Sequence, residues 1–276
     1  MAAREVAYLG PPGTYSHLVA EKRFGRGVEM LPFPTISDVC AFVSRGPSRR
    51  GVIPIENSSG GAVHETVDIL LTNRPRIQIL EELSLEVRLA LIGWPGRRIE
   101  LLYSHFAPLE HCESWIKRHL PRVQRRIVPS TAAAAQRASG EPNAAALGSR
   151  RLAAIYGLKV LRYPIKADVP NMTSFLLVTG RRTAVRRAAK TTLAVKLPNT
   201  PGSLCSFLET FRDESVNLSR LISRPIPGCP RQYAFLVDID GCPAEKNVAR
   251  ALAAARAVSV EMRLVGSYPC HRAYHS

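Results

Sequence analysis

Apolar residues recur along this chain in two alternating rhythms. Short apolar runs such as EVAYL, GVIPI and SFLLVT have the length of strands. Between them the spacing changes to three and four, as in residues 62–72, where Val63, Val67, Leu70 and Leu71 share one helical face. The pattern predicts strands over 4–9, 28–33, 51–55, 77–92, 99–103, 143–148, 158–161 and 174–179. It predicts helices over 14–25, 35–45, 62–72, 107–119, 130–139 and 149–156. Such alternation defines an α/β class with a parallel or mixed sheet. The run 77–92 is long for one strand and predicts two, crossing between sub-domains, so the region divides into two lobes with a cleft.

A second rhythm follows residue 190. Strands are predicted over 191–197, 217–225, 232–240 and 258–268, and helices over 201–215 and 243–255. The order βαββαβ describes a two-layer α+β sandwich. One sheet face and two helices make a marginal core, so pairing with a second copy is expected. The expected domains are 1–180, a basic linker 181–190 and 191–276.

Composition changes this picture little. The chain has 276 residues, 46% hydrophobic and 22% charged, enough to bury a core. No apolar run is long enough to span a bilayer, and MAAREVAYLG lacks a secretory layout, so a cytoplasmic protein with no membrane partner is expected. The six cysteines form no CxxC pair and match no zinc spacing, which predicts free, mostly structural thiols and no metal site. The net charge of +16 is diffuse apart from RRTAVRRAAK at 181–190. No recognised nucleic-acid module accompanies it, so small anions, not nucleic acid, are the expected partners.

Three strand-to-helix turns share a design: GPPGTYS (10–16) with Thr14, IENSSGG (55–61) and PSTAAAA (129–135) with Ser130 and Thr131. Helix N-termini suit carboxylates and phosphates, and ligands gather at the carboxyl ends of strands in open sheets. The same residues also suit plain capping. Glu56 is different, since a carboxylate beside an amide and a hydroxyl serves a polar ligand better than it serves packing; it could equally pair with an arginine. His105 could act as acid or base, or be a capping or core histidine. In NMTSF (171–175), Asn171 and Thr173 point the same way if the segment is extended.

Together these residues resemble the prephenate dehydratase family with a regulatory ACT domain, over nearly the whole chain. GPPGTYS is similar to the family's GPxGTFS turn, and GVIPIENSSGGAVHETVDILL to its PIENSxxGxVxxTxDLL segment. YSHFAPLEHCESWI resembles SHPQALxQCxxWL, and NMTSF resembles NxTRF. STAAAA and AALGSRRLAAIYGLKVL resemble STAxAA and AAIxSxxAAxxYGLxxL. NTPGSLCSFLETFRDESVNLSRLISRP resembles the ACT segment NxPGALxxxLxxFxxxxINLxxIESRP.

The resemblance implies a two-lobed catalytic domain like a type II periplasmic binding protein, then a ferredoxin-like ACT domain. The implied reaction converts prephenate to phenylpyruvate with loss of water and carbon dioxide, without a cofactor, and arogenate is a possible second substrate. Thr173 would serve the leaving hydroxyl, with Glu56 and His105 as rival proton donors. Thr14, Ser16, Asn57, Ser58, Ser104, Asn171 and Phe175 would bind substrate. Asn199, Pro201, Gly202, Ser203, Leu204, Ser223, Arg224 and Pro225 would bind L-phenylalanine as effector, in a homodimer or homotetramer built through the ACT domains. Ser174 stands where the family writes arginine, Ala107 where it writes glutamine, and Ile222 where it writes the glutamate of ESRP. A cation is therefore expected to be missing beside the dianion. Two other outcomes fit such changes: a prephenate decarboxylase that does not aromatise, and a ligand sensor or partner subunit without turnover.

Overall fold

The computed structural model describes residues 5–25, 27–181 and 188–276; six residues of the expected linker, 182–187, lie outside the described residues. The first lobe opens with β1 (Glu5–Leu9), α1 (Tyr15–Phe24), β2 (Glu29–Phe33), α2 (Ile36–Ser44), β3 (Arg49–Asn57), β4 (Gly61–Ala62), α3 (His64–Thr72) and β5 (Gln78–Glu86). The chain then crosses to a second lobe: β6 (Ala90–Gly93), β7 (Leu101–Ser104), α4 (Phe106–His111), α5 (Glu113–His119), β8 (Gln124–Ile127), α6 (Thr131–Ser139), β9 (Ala144–Gly148), α7 (Arg151–Ile155) and β10 (Lys159–Arg162). It returns as β11 (Met172–Thr179). A third unit follows: β12 (Lys190–Lys196), α8 (Ser203–Asp213), β13 (Leu218–Pro225), β14 (Tyr233–Asp240), α9 (Lys246–Ala257) and β15 (Glu261–Tyr268), with a short β16 (Tyr274–His275).

Three sheets result. The first runs β16-β5-β11-β3-β1-β2 with β4 beside β3, the second β10-β6-β9-β7-β8, and the third β13-β14-β12-β15. Because β11 returns antiparallel between β5 and β3, the first sheet is mixed and the two lobes are joined by two crossings. In the second lobe, the alanines of α6 pack on β9, AAALG, every residue of which is buried. Alanine's high helix propensity and small size permit this close approach.

The period of two along β11 decides what each face meets. Phe175 and Leu177 turn toward Tyr8, Leu18 and Leu85 in one core. Leu176 and Val178 turn the other way, with Ile53, Ile55 and Ile79, into a second core that also holds Ala194, Leu236, Val265 and Tyr268 of the third unit. The first sheet therefore has the cleft on one face and the third unit on the other. Gly266 fits this junction: a Cβ there would lie 2.7 Å from the Ile79 carbonyl oxygen. The far face of the third sheet is covered by α8 and α9, with Phe207 and Phe211 in edge contact at 5.2 Å.

Several expectations are corrected. The run 107–119 is two helices, broken at Cys112 (φ −117°, ψ 20°). IENSSGG does not open a helix: Glu56 pairs with Ala62 and Asn57 with Gly61 in a β3–β4 hairpin, and α3 starts after Val63, which caps nothing with its side chain. β8, QRRI, was not legible because all four residues are exposed on an edge. No disulfide joins the cysteines among the described residues, but three of them, Cys205, Cys229 and Cys270, are exposed.

Candidate active site

The start of β11 lies beside the end of β3, and a hydroxyl–amide centre forms there. The Asn57 Oδ1 accepts from the backbone N–H groups of Ser59 and Gly60, each at 3.0 Å. Those bonds fix the amide, so Nδ2 points into the sheet. It donates to the Thr173 Oγ1 at 2.8 Å and to the Asn171 Oδ1 at 3.0 Å. The Thr173 oxygen is thus an acceptor from the protein, and among the described residues none accepts its own O–H, which lies at the cleft wall. Asn171 and Thr173 do project the same way, both meeting Asn57.

The cleft holds about 290 Å³ between the lobes. Thr14, Ser16, Asn57, Asn171, Thr173 and Phe175 line it from the first lobe. His105, Ala107, His111, Ser130 and Thr131 face them from the second. Two helices of opposite lobes begin at this cleft. Thr14 caps α1 by accepting from the His17 N–H at 3.4 Å, and Ser130 caps α6 by accepting from Ala133 at 3.0 Å. Their amino ends place partial positive charge at the cleft. Among its described lining residues there is no lysine or arginine, so an anion there relies on dipoles and neutral donors. The His105 imidazole lies 4.3 Å from the Phe106 ring, and desolvation pushes its pKa down, toward the neutral form.

Glu56 is placed elsewhere. It precedes Asn57 on a strand, so its side chain leaves by the opposite face. There its Oε2 accepts from the Arg220 Nε at 3.0 Å. Arg220, only 7% exposed, also reaches Asp238 and Glu82, and Lys190 joins Glu82 at 2.7 Å. Ser174, opposite Glu56 in register, shares that outer face. An arginine at position 174 would therefore point at the third unit rather than at the cleft, which corrects the expectation of a cation lost beside the substrate. Ser58 is exposed and bonds Pro170 and Met172 at the start of β11, and the buried Ser104 hydroxyl is spent on the His105 carbonyl. Neither lines the cleft.

Two lining residues were missed by the sequence reading. The Tyr15 hydroxyl and both ring nitrogens of His111 are buried without a hydrogen-bond partner among the described residues. A buried polar group left unpaired costs about 1–3 kcal/mol. The only signal was in the motifs: Tyr15 stands where GPxGTFS has Phe, and His111 where SHPQALxQC has its second Gln.

In the third unit, Asn199, Ser203 and Leu204 line a depression of about 320 Å³ with Gln232, Tyr233 and Val260. Gly202 adopts φ 84°, which suits glycine, at the start of α8. Among the other expected effector residues, Pro201, Ser223 and Pro225 do not line the depression, and Arg224 pairs with Asp68 of α3 at 2.7 and 2.8 Å. Ile222 packs against the core shared with the first lobe. A larger hollow, about 780 Å³, opens beside Gln78 and Gly180, toward the opposite end of β11 from Thr173.

Fold and cleft define a two-lobed α/β protein with a ligand cleft and an appended βαββαβ unit. A sequence profile described as "Prephenate dehydratase" matches residues 6–183. The bifunctional chorismate mutase/prephenate dehydratase of Stutzerimonas stutzeri is 34% identical over 96% of this chain and 73% of its own length. The crystal structure of a prephenate dehydratase in complex with L-Phe from Arthrobacter aurescens superposes with a TM-score of 0.87 at 31% identity, covering 96% of this chain and 90% of that one. A structure described as GqqA, a novel type of quorum quenching acylases, matches with a TM-score of 0.86 at 27% identity over 97% of this chain and 98% of that one. This chain belongs to the prephenate dehydratase family. Among the described residues, no helix is long and apolar enough to cross a membrane.

Proposed function

We propose that this chain converts prephenate to phenylpyruvate, water and carbon dioxide at the Thr173–Asn57 centre. The single observation that carries this reading is the orientation of Asn57: it donates to the Thr173 oxygen and leaves the Thr173 O–H, at the cleft wall, without an acceptor among the described residues. The ring hydroxyl departs as the electrons of the ring carbon–carboxylate bond move through the diene. One proton is taken up, carbon dioxide and water are released, and the ring becomes aromatic. Threonine is a weak acid, so Thr173 acts by hydrogen-bonding charge that develops on the leaving oxygen. The N-termini of α1 and α6 hold carboxylate groups of the substrate. His105, kept neutral, contributes a hydrogen bond rather than a proton.

The third unit is read as an ACT domain, and the depression at Asn199, Ser203 and Leu204 as its L-phenylalanine site. On this reading the chain forms a homodimer or homotetramer through these units, in the cytoplasm. An acylase reading has less support: among the described residues, no histidine hydrogen-bonds the hydroxyl of Thr173, Ser130 or Thr131 to activate it. Purified protein given prephenate should form phenylpyruvate, read by its alkaline absorbance, and L-phenylalanine should slow the reaction. Prephenate left intact, or a non-aromatic product, would reject the reading.

A further inference from the structure

We propose that Tyr15 and His111 contact substrate directly, each donating a hydrogen bond to a substrate oxygen; the inference rests on the dehydratase reading. Tyr15 is the first residue of α1 in one lobe, and His111 the last residue of α4 in the other. Both line the same cleft. His111 is 1% exposed, yet neither of its ring nitrogens is satisfied by a described residue, and the same is true of the Tyr15 hydroxyl. A folded core rarely buries three hydrogen-bonding atoms so close to one cavity without use for them.

Their ionisation states suit neutral donors. Desolvation lowers the His111 pKa, with Glu110 opposing it, so one ring nitrogen carries a proton and the other is free to accept. Burial raises the Tyr15 pKa, with Cys112 and Tyr163 adding to it, so the phenol stays protonated. Donation from a neutral phenol and a neutral imidazole answers the lack of lysine and arginine among the cleft's described lining residues. Because the two groups come from opposite lobes, a substrate that engages both also bridges the cleft.

The test is steady-state kinetics with prephenate on three variants: Tyr15→Phe, His111→Leu and His111→Gln. We expect Tyr15→Phe and His111→Leu each to raise KM about tenfold, equivalent to ~1.4 kcal/mol. The Tm of His111→Leu should equal or exceed the parent's, because an unsatisfied polar group is replaced by an apolar one. His111→Gln, which keeps a donor, should restore KM to near the parent value. Unchanged KM in both Tyr15→Phe and His111→Leu would overturn the proposal, as would a lower Tm with intact KM for His111→Leu. If His111→Leu does not fold, Tyr15→Phe alone decides by its KM. Parent protein that forms no phenylpyruvate would instead sink the dehydratase reading itself.

Discussion

The chemistry of this cleft depends on one amide held in one orientation. Two backbone N–H groups occupy the Asn57 oxygen, so its nitrogen must serve Asn171 and Thr173. Replacing Asn57 with Ala should free the Thr173 hydroxyl to rotate and leave the Ser59 and Gly60 amides of the turn without that partner. We expect kcat to fall at least about tenfold and stability to drop by about 1–3 kcal/mol, read by kinetics and urea unfolding. Glu56 gives the opposite expectation. It faces Arg220 across the other side of the sheet, so Glu56→Gln should keep kcat within about twofold. A hundredfold loss, of the size general acids supply, would restore Glu56 to the cleft.

At the level of elements, the sequence reading found nearly every helix and strand of the first lobe and of the βαββαβ unit. Their apolar periods are strong, as in GVIPI and in α8 with its Phe207 and Phe211. It lost β8, whose four exposed residues carry no alternation. Its errors at Glu56 and at position 174 have one physical source. Glu56, Asn57 and Ser58 are neighbours in the chain, but a strand sends successive side chains to opposite faces. The same rule places Ser174 outside the cleft while Thr173 and Phe175 enter it. Thr173, Asn57 and Asn171 were legible, and a period of two would also have excluded Glu56. Tyr15 and His111 were not legible as site residues. Only the packing of α1 and α4 around the cleft shows their buried, unpaired atoms.

For the whole molecule, the junction between the first sheet and the third unit is held by a buried charge cluster. Asp238 is fully buried and Glu82 nearly so, and both depend on Arg220. Burial works against the Arg220 charge, but Asp238, Glu82 and Glu56 more than offset it. Arg220→Met should therefore cost about 3–5 kcal/mol, seen as a lower or split calorimetric transition. Acid should also weaken the fold. Desolvation lowers the pKa values of His17, His105 and His111 below the unfolded value near 6.5. Below that pH the unfolded chain binds more protons, so stability is complete above about pH 6.5 and declines as the pH falls toward the folded values. Tm measured from pH 7.5 down to 5.5 should drop, and His111→Leu should flatten the slope. The most direct test of the central claim is a proton NMR time course of prephenate with the parent protein and with Thr173→Val. Aromatic phenylpyruvate signals are expected from the parent, and a rate at least about a hundredfold slower from the variant. Equal rates from both, or prephenate that persists with the parent, would contradict the claim.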